Sequence, residues 1–290
     1  MCPLLASAVE TTSVRLVISE DSLLAKEIAE KLVKELDKGV PGVVIETGAR
    51  PVERFMGRRL VITIGESAWI STLSDAAANR EAPVLAVIPS PSSYESRPKK
   101  AFAGSSAIYL NQPMTRVLNL ATLVGPRNAI VGIVAGPTTQ PQLAAAEGHA
   151  RERGLRLVAE SASDEMSVGR AVARIVRETD ILLAVPDQVV HSSNTVHPVL
   201  LLTYRAGIPV IAYSAAYLRA GATLVLYSTA EQIAQQALES VVAFHQGKIL
   251  AAVQAPRYFI VEINPTVARS LGISLPTAAE LQAKLQTMKE

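Results

Sequence analysis

Short runs of β-branched and apolar residues, each followed by a stretch long enough for a helix, recur along the whole chain, and this alternation restricts the fold more than any other feature. VRLVIS (14–19), VVIE (43–46), LVITI (60–64), VLAVI (84–88) and SAIYL (106–110) form a first set. After Asn111-Gln112-Pro113 and a helical stretch through Leu123, the pattern restarts with IVGIVA (130–135), LRLVA (155–159), ILLAV (181–185), PVIAY (209–213) and ATLVLY (222–227). Such short apolar runs suit strands buried on both faces, and the intervening segments are long enough to join parallel neighbours by right-handed crossovers. In residues 21–37, Leu24, Ile28, Leu32 and Leu36 recur at helical spacing behind a capping Asp21 or Ser22. Residues 140–153 and 167–178 are predicted helices as well. Hydrophobic residues make up 49% of the chain and aromatics only 4%, the mix expected of parallel sheets covered by alanine-rich helices. The expected fold is therefore α/β, with two doubly wound parallel-sheet lobes.

The segment after Tyr227 decides how the lobes connect. Residues 230–246 form one helix with Ile233, Ala237, Val241 and Phe244 on one side, followed by a Gly247-Lys248 turn and the strand-like RYFIVEI (257–263). The economical arrangement returns this helix to the first lobe and adds RYFIVEI to the edge of the second sheet. Three crossings follow, with hinges expected at 109–113, 227–229 and 255–258. The N-terminal lobe would comprise residues 1–111 plus 228–254 and the C-terminal lobe 112–227 plus 255–290, with a ligand cleft between them.

INPTVARSLGISLP follows directly. Its Ile263, Asn264, Ala268, Leu271, Gly272, Leu275 and Pro276 fill an I-N-x-x-x-A-x-x-L-G-x-x-I/L-P pattern. Together with RYFIVEI and AGIPVIAYSAAYLRAGATLVLYST, it resembles the substrate-binding proteins of ABC transporters, in the branch with the type I periplasmic-binding (Venus flytrap) fold that includes aromatic amino-acid binders. ILLAVPDQVV is similar to that family's strand ending in Pro plus a polar residue, and the likeness runs from LVITIGESA onward. AFAGSSAIYLNQP departs from the family's Gly-Gly-Asn-Val-Thr-Gly-like stretch. The resemblance implies an exported, periplasmic or cell-surface monomer that captures a small polar ligand, an amino acid favoured, by hinge closure, with the membrane permease of an ABC importer as partner. It implies neither an enzyme nor a cofactor. A ligand-binding sensor domain that signals to a membrane partner is the alternative. A lactose-repressor-like regulator is disfavoured, because about thirteen residues precede VRLVIS, too few for a helix-turn-helix.

In open α/β sheets, ligands meet the loops beyond the carboxyl ends of the strands. Here these are Gly65-Glu66-Ser67-Ala68-Trp69, Pro89-Ser90-Pro91-Ser92-Ser93-Tyr94, Gly136-Pro137-Thr138-Thr139-Gln140, Pro186-Asp187-Gln188 and Ser214. Hydroxyls dominate, as suits a small polar ligand. The candidate ligand-binding residues are Gly65, Glu66, Ser67, Trp69, Ser90, Tyr94, Gly136, Thr138, Thr139, Asp187 and Ser214. Ser67 and Thr139 have helix N-capping as a competing role. Asp187 could pair with a ligand ammonium or cap a helix, and Trp69 and Tyr94 could stack on a ligand or fill the core. Gly65 and Gly136 serve tight strand-to-helix turns.

Other chemistries find little support. Gly65-Glu66-Ser67-Ala68-Trp69 begins like a nucleophile elbow but ends in Trp where close strand–helix packing needs Gly. His149, His191, His197 and His245 form no H-E-x-x-H motif, and neither a P-loop nor a G-x-G-x-x-G follows a strand. Cys2, the single cysteine, excludes an internal disulfide and a cysteine-based metal site. A net charge of +2 and short basic clusters (Arg58-Arg59, Lys99-Lys100) give no footprint for nucleic acid. No apolar run approaches the ~18 residues of a membrane helix. Ala6-Ser7-Ala8 has the small-residue pattern cut by signal peptidase, without a charged region before it. Residues 1–8 are thus either the remnant of a signal peptide or a plain N-terminus.

Overall fold

The computed structural model describes residues 11–46, 57–74, 82–100 and 102–290, so the proposed signal-peptide remnant lies outside the described residues. In chain order the elements begin β1 (Thr12–Ile18), α1 (Leu23–Gly39), β2 (Val43–Glu46), β3 (Arg58–Ile64), α2 (Glu66–Ser74), β4 (Val84–Val87), α3 (Pro91–Glu95) and β5 (Ser106–Ile108). They continue with α4 (Met114–Val124), β6 (Ile130–Ala135), α5 (Leu143–Glu152), β7 (Arg156–Ser161), α6 (Glu165–Ile175), β8 (Ile181–Leu183), α7 (Val196–Arg205), β9 (Val210–Ala212), α8 (Ala215–Ala220) and β10 (Leu224–Tyr227). The last are α9 (Ala230–His245), β11 (Ile260–Ile263), α10 (Pro265–Ser270) and α11 (Ala278–Thr287). The chain divides into two compact units, Met1–Leu110 with Ser228–Tyr258 and Asn111–Tyr227 with Phe259–Glu290, and passes between them three times.

The first unit holds a five-stranded sheet of order β2-β1-β3-β4-β5, with every pairing parallel. Alternation along the strands splits its core in two. On one face, Val14, Leu60, Ile62 and Ile64 meet Ile28 and Leu32 of α1 and Ile233, Ala237 and Val241 of α9. Fully burying each such Val, Leu or Ile side chain stabilises by about 1.5–3 kcal/mol. On the other face, Val61, Val84, Ala86 and Ala107 lie under Trp69, Tyr94 and Phe102. Helix α1 starts where Ser22 accepts the Ala25 N–H at 3.2 Å; Asp21, the other candidate cap, accepts the Ser67 hydroxyl instead.

The third passage falls after Tyr258, at the end of the hinge expected over 255–258 and later than the lobe boundary drawn after 254. Hydrogen bonds explain the later position. Gln254 lies beside β5, its N–H donating to Ala107 O (2.8 Å) and its carbonyl accepting the Tyr109 N–H (3.0 Å). Gln236, 1% exposed on α9, donates to Ala255 O (3.1 Å) and accepts the Arg257 N–H (2.8 Å), and the Ser228 hydroxyl donates to Tyr258 O. Residues 254–258 are therefore fastened to the first unit. Gln236→Leu keeps the bulk but strands the Arg257 N–H and the Ala255 carbonyl; a cost of about 1–3 kcal/mol in thermal unfolding is expected, and an unchanged melting temperature would show that water replaces both bonds.

The second unit holds a six-stranded sheet of order β11-β10-β9-β8-β6-β7, parallel except for β11, which runs antiparallel to β10 at the edge. Leu118, Ala150, Leu281 and Leu285 cover one face; Val168, Val172, Val199 and Tyr217 cover the other. Two helix starts differ from expectation. Residues 140–142 form a 3₁₀ turn around Pro141, so α5 begins at Leu143, while a capping box between Asp164 and Ser167 starts α6 at Glu165, two residues before 167. The INPTVARSLG stretch also has a local cause. Asn264 caps α10 through the Val267 N–H (3.1 Å), Pro265 occupies the first turn, and Gly272 takes the left-handed conformation that ends it (φ +69°).

Candidate ligand-binding loops

In the first unit the loops after β1, β3 and β4 are tied to one another. Gly65 has φ +97°, and a Cβ there would sit 2.3 Å from Ser19 Oγ, so glycine is required both by conformation and by space. That Ser19 hydroxyl accepts the Ala68 N–H at 2.9 Å. The Glu66 carboxylate accepts from the backbone N–H and the hydroxyl of Ser90, the latter at 2.9 Å, and the Ser67 hydroxyl donates to Asp21 at 2.8 Å. Ser67 thus lies inside the first turn of α2 and is not its cap, whereas Ser90 caps α3 by accepting the Ser93 N–H. Ser67 is exposed, and Glu66 and Ser90 are half-buried.

Two of the candidates are core residues. Trp69 and Tyr94 are 0% exposed, with ring centroids 5.1 Å apart, and Phe102 packs edge-on against Trp69 at 5.4 Å. The Arg97 guanidinium lies 3.8 Å from the Tyr94 centroid. The amphipathic character that made both rings candidates for stacking on a ligand is spent on each other. The Tyr94 hydroxyl and Trp69 Nε1 have no hydrogen-bond partner among the described residues, and burial raises the Tyr94 pKa. Tyr94→Phe should accordingly be neutral or stabilising by up to ~1 kcal/mol in thermal unfolding, since it removes an unpaired buried hydroxyl; a clear loss would mean that the hydroxyl is paired in solution.

In the second unit the candidates converge on Asp187. This carboxylate, 5% exposed, accepts five hydrogen bonds: from the N–H groups of Thr138 (3.1 Å) and Thr139 (3.0 Å), the Thr139 hydroxyl (3.1 Å), and the N–H groups of Val189 (3.0 Å) and Val190 (3.2 Å). It clamps the loop after β6 to the turn after β8. A ligand ammonium, the partner expected for it, would have to compete with these five donors for both oxygens; Asp187 does not cap α7, which starts at Val196. Gly136 serves the same clamp, since a Cβ there would lie 2.2 Å from an Asp187 oxygen. Thr139 is buried in the clamp, Thr138 keeps an exposed side chain, and half-buried Ser214 caps α8 through the Tyr217 N–H at 3.3 Å.

The sequence reading did not single out the ring cluster beside this clamp. His191, in the turn after β8, packs edge-on against Tyr213 (6.0 Å) and Tyr217 (5.5 Å), and its Nδ1 is hydrogen-bonded to the Tyr217 hydroxyl. Burial pushes the imidazole pKa down to about 4, against a smaller opposing pull from Asp187, and burial also raises both phenols. The signal available in the sequence was the ten-residue gap between Val185 and Val196, long for a strand-to-helix turn. Among the described residues no cluster of His, Cys, Asp and Glu could hold a metal ion, and no helix is long and apolar enough to cross a membrane.

Two units of parallel-dominated sheets joined by three chain passages, with polar loops at the strand ends, define the type I periplasmic-binding fold. Residues 59–285 match the family model described as ABC transporter substrate binding protein, and the chain belongs to that family. It is a family of binding proteins, which implies a small-molecule ligand and a membrane transporter as partner, and its members are typically exported. Solved structures agree on the fold. A substrate-binding protein with adhesive properties from Clostridium difficile, ligand-free and open, is 16% identical with a TM-score of 0.69, covering 92% of this chain and 96% of that one. An ABC domain from Streptococcus pneumonia in complex with L-Trp is 15% identical with a TM-score of 0.56, at 92% and 96% coverage. A periplasmic ribose ABC transporter protein from Conexibacter woesei is 14% identical with a TM-score of 0.55, at 95% and 98% coverage. None of the curated proteins matches the chain.

Proposed function

We propose that the protein is the exported, monomeric solute receptor of an ABC importer, and that it captures an amino acid between its two units, which act as N- and C-terminal lobes. The observation that carries this reading is that each unit, within one family-defined binding fold, carries a set of hydroxyl-bearing loops at the carboxyl ends of its strands. Ser67 and Ser90 in the first unit, with Glu66 beside Ser90, and Thr138 and Ser214 in the second supply hydrogen bonds to the ligand, while Gly65 and Gly136 hold the strand-to-helix turns that carry these loops. The three passages act as hinges, because a ligand that contacts both sets of loops favours the closed form by its differential affinity. The L-Trp complex of the streptococcal protein supports the choice of an amino acid.

Thermal unfolding against amino acids, nucleosides, sugars and small organic acids tests the proposal. A ligand at a hundred times its Kd adds about 2.7 kcal/mol of stability. An amino acid that raises the melting temperature supports the reading; a sugar or nucleoside alone that does so overturns the ligand class, and no response from any compound overturns solute capture in favour of a sensor that recognises another partner.

A further inference from the structure

His191 has one polar atom that the fold leaves unused. Its Nδ1 meets the Tyr217 hydroxyl, while Nε2 is closed to solvent and has no partner among the described residues. The tautomer follows from acid–base chemistry. A phenol is a far better donor than a neutral imidazole N–H, and an imidazole nitrogen a far better acceptor than a phenol oxygen, so the bond runs from the Tyr217 O–H to Nδ1. The reverse arrangement would leave the phenolic hydrogen without an acceptor as well. The ring is neutral at physiological pH because burial depresses its pKa to about 4, and Tyr217, raised by burial, keeps its proton. The one ring proton therefore resides on Nε2, where it is a donor without an acceptor.

The groups around it narrow what can answer. The nearest carboxylate, Asp187, is engaged by five donors, and it receives the His191 N–H only through its backbone carbonyl (2.9 Å). Tyr213 and Tyr217 both meet the imidazole edge-on and tilt against each other, and burial keeps them protonated phenols. The His191 and Tyr213 side chains are both half-buried, His191 in the turns that follow β8 and Tyr213 directly after β9. A buried donor costs free energy until it is paired, and a charged acceptor in such a low-dielectric place gives the strongest bond.

We propose that His191 Nε2–H is the donor with which the second unit recognises its ligand, and that the group it takes is a carboxylate lodged against Tyr213. The inference rests on the amino-acid reading above and refines it: the second unit recognises the acid end of the ligand and not the ammonium.

The test uses the full chain with ¹⁵N-labelled histidine, and L-amino acids each paired with the corresponding decarboxylated amine as probes. Ring ¹⁵N spectra of the free protein should show His191 protonated at Nε2 alone, and the amino acid that stabilises the wild type should move the Nε2–H resonance. His191→Phe and His191→Gln should each weaken that amino acid by about 10- to 100-fold, while the amine, already weak, is the same for wild type and variants. Two variants of different chemistry, with their unliganded melting temperatures, separate a binding loss from misfolding. Stabilisation of the wild type with a fixed Nε2 resonance and unaltered affinity in both variants would overturn this inference alone. An Nε2–H that exchanges magnetisation with a trapped water and ignores every probe would do the same, since the partner is then an enclosed water only. A wild type that no amino acid stabilises overturns both this inference and the ligand class on which it rests.

Discussion

Asp187→Ala should destabilise the second unit by about 3–5 kcal/mol in thermal unfolding, because it leaves several buried donors without an acceptor at about 1–3 kcal/mol each. The Thr138 side chain is exposed and water can replace that bond, and the Thr139 N–H keeps the Gly136 carbonyl (3.1 Å), but Thr139 and Val190 are buried, and the Thr139 hydroxyl and the Val190 N–H lose the Asp187 oxygen that accepts them. Asp187→Asn should cost less, since one oxygen remains. Gly136→Ala gives an independent check, because its Cβ would enter the space of the carboxylate. The alanine should be costly in the wild type and nearly free in Asp187→Ala, a non-additivity expected of residues that share one space. Additive effects would show that the clamp is not what holds the two loops.

The second large effect is a dependence on pH. The His191 pKa lies at about 4 in the folded protein against 6.5 for a free imidazole, so the folded state disfavours the charged ring. Above the unfolded value the ring is neutral in both states and its contribution is complete. As pH falls from about 6.5 toward 4, the unfolded chain takes up a proton that the folded chain refuses, and stability declines by about 1.4 kcal/mol per pH unit, to a total loss of roughly 3 kcal/mol. Asp187 opposes the shift, while Tyr213 and Tyr217 stay neutral throughout the window and do not contribute. Carboxylates with depressed pKa, such as Asp164 and Glu280, lose stability mainly at lower pH, so the diagnostic quantity is the difference between wild type and His191→Gln. The variant should lack the decline between 6.5 and 4; parallel curves would place the ring in water.

What could be understood from the sequence was periodic. Leu32 and Leu36 repeat at helical spacing whatever lies opposite them, and strands such as IVGIVA declare themselves by composition. The return of α9 to the first sheet was legible because its apolar side needed a partner. The chemistry of the loops was not, because it depends on pairs distant in the chain: Thr138 meets Asp187 across 49 positions and Ser67 meets Asp21 across 46. An acidic residue after a strand looks like a ligand group until its donors are known. Trp69 and Tyr94 are ambiguous for the opposite reason, since an aromatic ring on a helix fits a core as well as a site. His191 belongs to a stretch without any period, and it gains its meaning only from Tyr217, on another element.

The passage of the chain between units also bears on biosynthesis. Helix α9 covers Ile28 and Leu32 of α1, and Gln254 borders β5, yet both lie more than a hundred residues beyond the sheet they complete. A nascent chain emerging at about 5–20 residues per second therefore holds an unfinished first sheet, with one apolar face open, for the whole time that the second unit is being made. The second unit likewise lacks its edge strand until the end. The first unit is complete only once residue 258 has been made and the second only with the segment after it, and any chain interrupted near residue 228 would leave the flank of α1 that α9 covers bare to chaperones and to its own copies.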